Sequence, residues 1–445
     1  MTKDLTSGSP LKVILLFSLP LVLGNLFQQF YALADTIIVG RFCGVSALAS
    51  VGATGSVNYL ILGFVIGVCN GFAIPIAQLF GARDYKDLRR HVANAAWLCI
   101  AASVVLTIAT VALTRPMMQL MQTPDDIIDG AVIYIGWIFA GIPFIFLYNM
   151  VAAIMRALGD SKTPLYFLIL TSALNIGLDL LFVIPFKFGV FGAALATLIA
   201  QGISAVLSLL IFLQRMRRYK SAFHRFDGQE LCSMLQIAVP SVLQQSTVSI
   251  GMMIVQAVVN PFGTQALAGY AATMRVENVF SLIFVSIGNA VSPYVSQNLG
   301  AKKIERIKKG YHAALVLDLC FAVLAFIVIE TLHTPISSLF LGKDGTALAY
   351  QVSGDYMKWL GYFFIFMGIK MATDGVLRGL GIMRPFLIAN MVNLAIRLSV
   401  ALIFAPRYGI AFVWLAVPAG WFANFLISYG ALRKSWPVDE GVSFR

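Results

Sequence analysis

The sequence predicts an all-α polytopic membrane protein, with twelve transmembrane helices arranged as two six-helix lobes. Three observations predict it. Of the 445 residues, 59% are hydrophobic and only 12% are charged, where a soluble domain carries about 25% charged residues. Apolar runs such as Leu168 to Ile184 and Phe321 to Ile329 are continuous rather than alternating, which favours helices over an outer-membrane barrel. Motifs of the first half recur about 220 residues later in the same order, the mark of a duplicated unit.

The length sets the number of spans. At about 20 residues per helix, and up to ~30 for tilted or protruding ones, the chain holds about twelve spans and short loops. No room remains for a soluble catalytic domain. In the first half the expected spans run Val13 to Val39, Ala47 to Phe80, Val92 to Leu113, Ile127 to Met155, Pro164 to Ile184 and Gly189 to Leu213. In the second half they run Leu231 to Val259, Ala266 to Leu299, Ile307 to Leu332, Ala347 to Val376, Phe386 to Phe404 and Ile410 to Leu432. The expected division is an N-lobe over 1–213, a polar cytoplasmic linker over 214–230 and a C-lobe over 231–445.

Orientation follows from the basic residues, which resist translocation and collect in cytoplasmic loops. With both termini inside, the cytoplasmic side holds Lys3, Lys12, Arg83, Lys86, Arg89, Arg90, Arg156, Lys162, Arg215, Arg217, Arg218, Lys220 and Arg225 from the first half. From the second half it holds Lys302, Lys303, Arg306, Lys308, Lys309, Arg378, Arg384, Arg433, Lys434 and Arg445. The opposite side has only Arg41, Arg115, Lys187, Lys343 and Arg407. The formal charge of +12 therefore reports topology, not a nucleic-acid partner. Ala32-Leu33-Ala34 resembles a signal-peptidase site before Asp35, but Asn25, Gln28 and Gln29 interrupt the stretch that precedes it, so an uncleaved first helix is expected.

The duplication pairs Pro20 with Pro240, Ala47-Leu48-Ala49 with Ala266-Leu267-Ala268, and Gln78-Leu79-Phe80-Gly81-Ala82 with Gln297-Asn298-Leu299-Gly300-Ala301. It also pairs Arg156-Ala157-Leu158-Gly159 and Pro164 with Arg378-Gly379-Leu380-Gly381 and Pro385. Six helices per copy give both copies the same topology, with a pseudo-twofold axis along the membrane normal. Two like lobes about a central cavity is a transporter design. Pro20 and Pro240 should kink equivalent helices, and Pro20 is the candidate hinge.

Ionisable residues inside the apolar runs are costly, at ~2.5 to 3.5 kcal/mol or more near mid-bilayer, and so carry most of the functional information. Gly24, Gln28, Tyr31 and Asp35 share one face of the first helix. Asn175 and Asp179 are i, i+4 neighbours in the fifth, and Thr197 and Gln201 in the sixth. Convergence of Asp35, Asn175, Asp179 and Thr197 would make a cluster of hard oxygen ligands, suited to trading protons or binding a small cation. The structural alternatives are an Asp35 at the membrane boundary, solvated or paired with Arg41, and an Asp179 engaged in an interhelical hydrogen bond. In the second half, Lys370 and Asp374 have the spacing of an ion pair, and Asn393 and Arg397 share a face. Glu277 has no evident partner and is a secondary candidate for protonation or for contact with a cationic substrate. Gln28, Tyr31, Asn149 and Glu277 are the candidate lining of a substrate cavity.

Enzyme chemistry finds no footing. The four histidines lack metal-ligand spacing, no P-loop follows a strand, and Cys43, Cys69, Cys99, Cys232 and Cys320 form neither a disulfide framework nor a zinc site. No cofactor is expected beyond a coupling H+ or Na+.

Over essentially its whole length the sequence resembles the multidrug and toxic compound extrusion (MATE) transporters. Ser18-Leu19-Pro20, Ala34-Asp35-Thr36, the paired Gln-x-x-Gly-Ala segments at Gln78 and Gln297, and Arg156-Ala-Leu-Gly-Asp-Ser-Lys-Thr-Pro164 carry the resemblance together. It implies the MATE fold of the MOP flippase superfamily and an antiporter that exports organic cations or amphipathic compounds against H+ or Na+. Asp35, Asn175, Asp179 and Thr197 look like the amino-lobe cation site of the DinF-like branch, and would be the metal ligands if the ion is Na+. Pro20 and Gln28 match positions in that branch's bending first helix. Gln244-Gln245-Ser246-Thr247-Val248 lacks the glutamate that NorM-like members carry there. The expected setting is a bacterial inner membrane, with small-molecule substrates, the lipid bilayer and no nucleic acid as partners, and a monomer suffices. The competing reading is a flippase for a lipid-linked or amphipathic substrate.

Overall fold

The computed structural model describes residues 4–219, 227–342 and 345–436. Lys3, Lys220, Arg225, Lys343 and Arg445, and the 220–226 part of the linker, lie outside the described residues. Among the described residues the chain is helical, without strands. In lipid a backbone must satisfy its own hydrogen bonds, and long apolar runs do so as helices.

The first half forms α1 (Pro10–Phe42), α2 (Val45–Ala53), α3 (Gly55–Gly81), α4 (Tyr85–Leu120), α5 (Asp125–Ala140), α6 (Ile142–Ala157), α7 (Lys162–Val183) and α8 (Gly189–Met216). The second half forms α9 (Gly228–Val259), α10 (Thr264–Gly300), α11 (Ile304–Leu341), α12 (Ala347–Leu380), α13 (Met383–Tyr408) and α14 (Ala411–Lys434). Among the described residues eleven stretches are long and apolar enough to cross a membrane, counting α2 with α3, and the α5–α6 pair brings the number to twelve. α5 and α6 meet at Gly141 with a 47° bend, where Pro143 follows two residues later. A Pro near the start of α6 costs no helical hydrogen bond there.

The helices outrun the expected spans at most ends. Their ends are built from ordinary chemistry: Asp84 accepts from the Asp87 N–H at 3.1 Å ahead of α4, and Thr346 accepts from the Ala349 N–H at 3.3 Å ahead of α12. α6 and α12 close in the same way. Gly159 and Gly381 take φ of 82° and 77°, a left-handed conformation open to glycine. The N–H of Asp160 reaches the Met155 carbonyl and that of Ile382 the Leu377 carbonyl, both at 2.9 Å.

The chain forms two compact units. The first comprises Leu23–Gln245; the second comprises Asp4–Val22 together with the chain from Ser246 on. The 19 residues of Asp4–Val22 thus pack with the second half, and α9 up to Gln245 packs with the first. In the first unit α6 lies against α3, α4 and α8, around buried Phe72, Phe139, Phe146 and Met118. The early part of α9 is fastened there by Glu230, which pairs with Arg90 and accepts from the Asn94 amide at 2.9 Å.

In the second unit α12 is central, packed by α10, α11 and α14. Gly288 and Gly375 let α10 and α12 approach closely: a Cβ on Gly375 would stand 2.5 Å from the Gly288 carbonyl oxygen. The Leu5–Gly8 segment is gripped by residues at the α10–α11 turn. Asn298 and Arg306 donate to the Leu5 carbonyl at 3.2 and 3.3 Å, Lys303 to that of Thr6 at 2.9 Å, and Arg306 to that of Gly8 at 2.7 Å.

Candidate functional site

Three helices of the first unit deliver the four residues expected to form an oxygen cluster: α1 brings Asp35, α7 brings Asn175 and Asp179, and α8 brings Thr197. All four are buried, Asp179 fully and Asp35 to 6% exposure. The i, i+4 spacing of Asn175 and Asp179 places both on one face of α7. With the Asn175 amide oriented by its neighbours, its nitrogen donates to Asp179 Oδ2 at 2.9 Å. Its oxygen then accepts from the Thr197 hydroxyl and backbone N–H at 3.0 and 3.2 Å.

The Asp35 carboxyl faces that of Asp179 and the hydroxyl of Tyr134 on α5. Asp35 Oδ1 and Asp179 Oδ1 are buried and accept no hydrogen bond. Asp35 does not pair with Arg41, whose guanidinium lies 6.0 Å from the Phe42 ring centre. Tyr31 completes the set, its hydroxyl bonded to Thr197 beside both carboxyls. Two carboxyl groups in contact and out of water do not both remain ionised unless something positive sits with them. The arrangement can therefore take up a proton or a small hard cation, for which carboxylate, amide and hydroxyl oxygens are suitable donors. Among the described residues no group of three or more His, Cys, Asp or Glu side chains is placed to hold a metal ion, so a cation here would rely on the amide and hydroxyl oxygens as well.

The other candidates do not gather at this cluster, Tyr31 excepted. Gln28 is exposed on α1, nearly two turns before Asp35. Asn149, on α6, donates to the Ile145 carbonyl of its own helix at 2.8 Å. Glu277 belongs to the second unit and does have a partner, contrary to the sequence expectation: the Tyr356 hydroxyl donates to its Oε2. A residue 79 positions away on another helix could not be found from i, i+4 spacing. Pro20 lies inside an uninterrupted α1. Lys370 and Asp374 form the expected ion pair at 3.1 Å, and Asp374 also accepts from Asn390 at 3.2 Å and Ser428 at 3.0 Å.

Two residues were missed. Tyr134 contacts Asp35, yet a tyrosine in an apolar run gives no signal of its own. Asp318 on α11 is fully buried, and both its oxygens lack a partner; as a carboxylate within Leu315–Cys320 it carried the same signal as Asp35.

Comparison with known proteins agrees with this architecture. The MatE family model matches residues 20–181 and again 240–403, so the duplicated unit is the family's own repeat. The chain is similar to the probable multidrug resistance protein YpnP of Bacillus subtilis (strain 168), with 28% identity over 391 residues, 88% of this chain and 87% of that protein. It is also similar to the probable multidrug resistance protein YoeA of the same organism, with 28% identity over 454 residues, 99% of this chain and 97% of that one. A solved MOP superfamily transporter from Pyrococcus furiosus has the same fold, with a TM-score of 0.89 at 24% identity over 97% of each chain. With both halves matched by the family model, this chain belongs to the MatE family, and it is a membrane-embedded transporter rather than an enzyme.

Proposed function

We propose that this chain is a secondary active multidrug efflux antiporter, exporting organic cations or amphipathic compounds in exchange for H+ or Na+. The observation that carries the reading is the buried Asp35–Asp179 pair, two facing carboxyls each with one oxygen, Oδ1, that accepts no hydrogen bond. A membrane protein retains such a costly arrangement where the charge state changes in function. Its relatives from Bacillus subtilis are named as probable multidrug resistance proteins, which supports the substrate class.

In this reading Asp35 and Asp179 are the coupling carboxyls. Asn175 and Thr197 orient them and, with Na+ as the coupling ion, join them as ligands. Gln28, Tyr31, Asn149 and Glu277 contact substrate, and α1 bends at Pro20 as access alternates. Both termini lie in the cytoplasm of a bacterial cell in this reading, which the excess of Lys and Arg in one set of loops supports for the orientation.

The test is efflux of a fluorescent organic cation from proteoliposomes under a pH gradient or a sodium gradient, for wild type and Asp35→Asn. Gradient-driven efflux lost in the variant supports the reading and names the ion. Folded wild-type protein that responds to neither gradient overturns it in favour of a flippase.

A further inference from the structure

Lys358 stands about three turns into α12, within the expected span Ala347 to Val376, and the coupling site does not use it. It lines a cavity of about 200 Å³ between the later part of α11 and the start of α12, together with His333, Thr334, Tyr350, Gln351 and Asp355. Asp355 and Lys358 are i, i+3 neighbours, a spacing at which opposite charges can meet. Among the described residues, however, neither takes part in an ion pair. His333 Nδ1 is 3.2 Å from the Glu330 carbonyl oxygen. A carbonyl only accepts, so Nδ1 carries the hydrogen and the neutral ring keeps Nε2 as an acceptor. The Tyr350 hydroxyl donates to the Gly342 carbonyl at 2.8 Å, tying the start of α12 to the end of α11. The apolar run expected on α11 ends at Leu332, so the cavity sits where lipid tails give way to headgroups. Deeper along the same two helices, the Phe326 and Tyr362 rings meet with their centres 5.5 Å apart. Phe326 precedes His333 by two turns and Tyr362 follows Lys358 by one, so they extend the faces that line the cavity. Tyr362 and Leu332 are exposed.

We propose that this cavity binds the phosphoethanolamine headgroup of a phospholipid, with an acyl chain lying over Phe326 and Tyr362. Two opposite charges that line one cavity without pairing with each other suit a ligand that carries the reverse pair. The phosphodiester goes to the Lys358 ammonium, with the Gln351 amide and the Thr334 hydroxyl as further donors. The ligand's primary ammonium goes to the Asp355 carboxylate, with His333 Nε2 as a second acceptor. A lysine that only snorkels to water needs neither a cavity nor a carboxylate within it. A soluble zwitterion, in turn, has no use for an exposed aromatic continuation toward the middle of the membrane. Phosphatidylglycerol offers the phosphate without the ammonium, and phosphatidylcholine offers a cation that has no N–H to donate. Phosphatidylethanolamine alone of the three satisfies both ends of the cavity. With both termini in the cytoplasm, as in the orientation proposed above, the lipid comes from the outer leaflet.

The site is tested by native mass spectrometry of the purified full-length protein in detergent, titrated with phosphatidylethanolamine, phosphatidylglycerol and phosphatidylcholine of identical dioleoyl chains. Wild type should bind phosphatidylethanolamine about tenfold more tightly than either of the others, equivalent to about 1.4 kcal/mol. Lys358→Gln removes the cation and should weaken phosphatidylethanolamine binding about tenfold. Asp355→Asn should abolish the preference over phosphatidylglycerol. Asp355 is exposed, so this variant decides the matter should Lys358→Gln not fold. Soluble glycerophosphoethanolamine, which has the headgroup and no acyl chains, separates a lipid site from a site for a free phosphate ester, and should bind far more weakly. Equal binding of the three lipids by wild type, unchanged phosphatidylethanolamine binding in the variants, or glycerophosphoethanolamine bound as tightly as the lipid would each overturn the proposal. No ion gradient and no transported substrate enters the measurement, so failure here is distinguishable from failure of the antiport reading.

Discussion

The guanidinium of Arg156 donates to the Asn70 side-chain oxygen at 3.2 Å, tying the end of α6 to α3. The same contact recurs in the second unit, where Arg378 donates to Asn289 at 3.1 Å. The repeated Arg-x-Leu-Gly motif is thus a structural lock, with the arginine reaching back to an asparagine and the glycine ending the helix. Asn70→Ala leaves the guanidinium without this acceptor and should cost about 1.5 to 3 kcal/mol, the usual range for a hydrogen bond to a charged group. Thermal unfolding in detergent, with Arg156→Ala and the double variant completing a cycle, checks it.

At the carboxyl pair, Asp35→Asn and Asp179→Asn should each abolish gradient-driven efflux while leaving expression normal. On the antiport reading the two groups act as one site, and the double variant should be no worse than either single one. Undiminished efflux in both single variants would refute their role.

Two glycines should respond oppositely to the same substitution. A Cβ on Gly71 would lie 2.5 Å from the Ala238 Cα, backbone that cannot turn away, whereas one on Gly177 meets nothing within 4 Å. Gly71→Ala should therefore destabilise by about 1 to 3 kcal/mol through overpacking. Gly177→Ala should be neutral or stabilise by up to about 1 kcal/mol through helix propensity. Melting temperatures of the two variants decide this.

Between α6 and α7, Asp160 accepts from Thr163 Oγ1 at 2.6 Å and from the Thr163 N–H at 3.0 Å, and pairs with Arg215. Burial pushes its carboxyl up, but these bonds outweigh burial and hold it below the ordinary carboxylate value. A carboxyl depressed in the folded state stabilises fully above its unfolded pKa, about 3.9. That stability is lost as the pH falls through the folded value. Wild type should therefore lose stability on acidification below about pH 4, and Asp160→Asn should lack that part of the dependence while being less stable at neutral pH. Urea unfolding at a series of pH values measures both.

The fold was legible because apolar runs and basic loops are direct records of lipid and water. The α5–α6 bend was not, although Gly141 and Pro143 lay in view, because small residues and prolines also occur in straight helices: Pro75 and Pro293 sit inside α3 and α10 without ending them. At the site, Asp35 and Asp179 stood out because charge is expensive in an apolar run. Their meeting did not, since spacing relates residues on one helix and says nothing across helices. Tyr134 was hidden for a further reason: hydroxyl residues are cheap enough in lipid to occur anywhere.

The opening stretches of α1 and α9 each pack with the other half of the chain, Asp4–Val22 with the second unit and 227–245 with the first. In a chain that the family model matches twice, this reciprocal exchange of opening segments resembles the exchange of an identical element in domain swapping. Each compact unit is therefore completed by an opening segment from the other half of the chain, so neither half alone carries all the residues of its own unit.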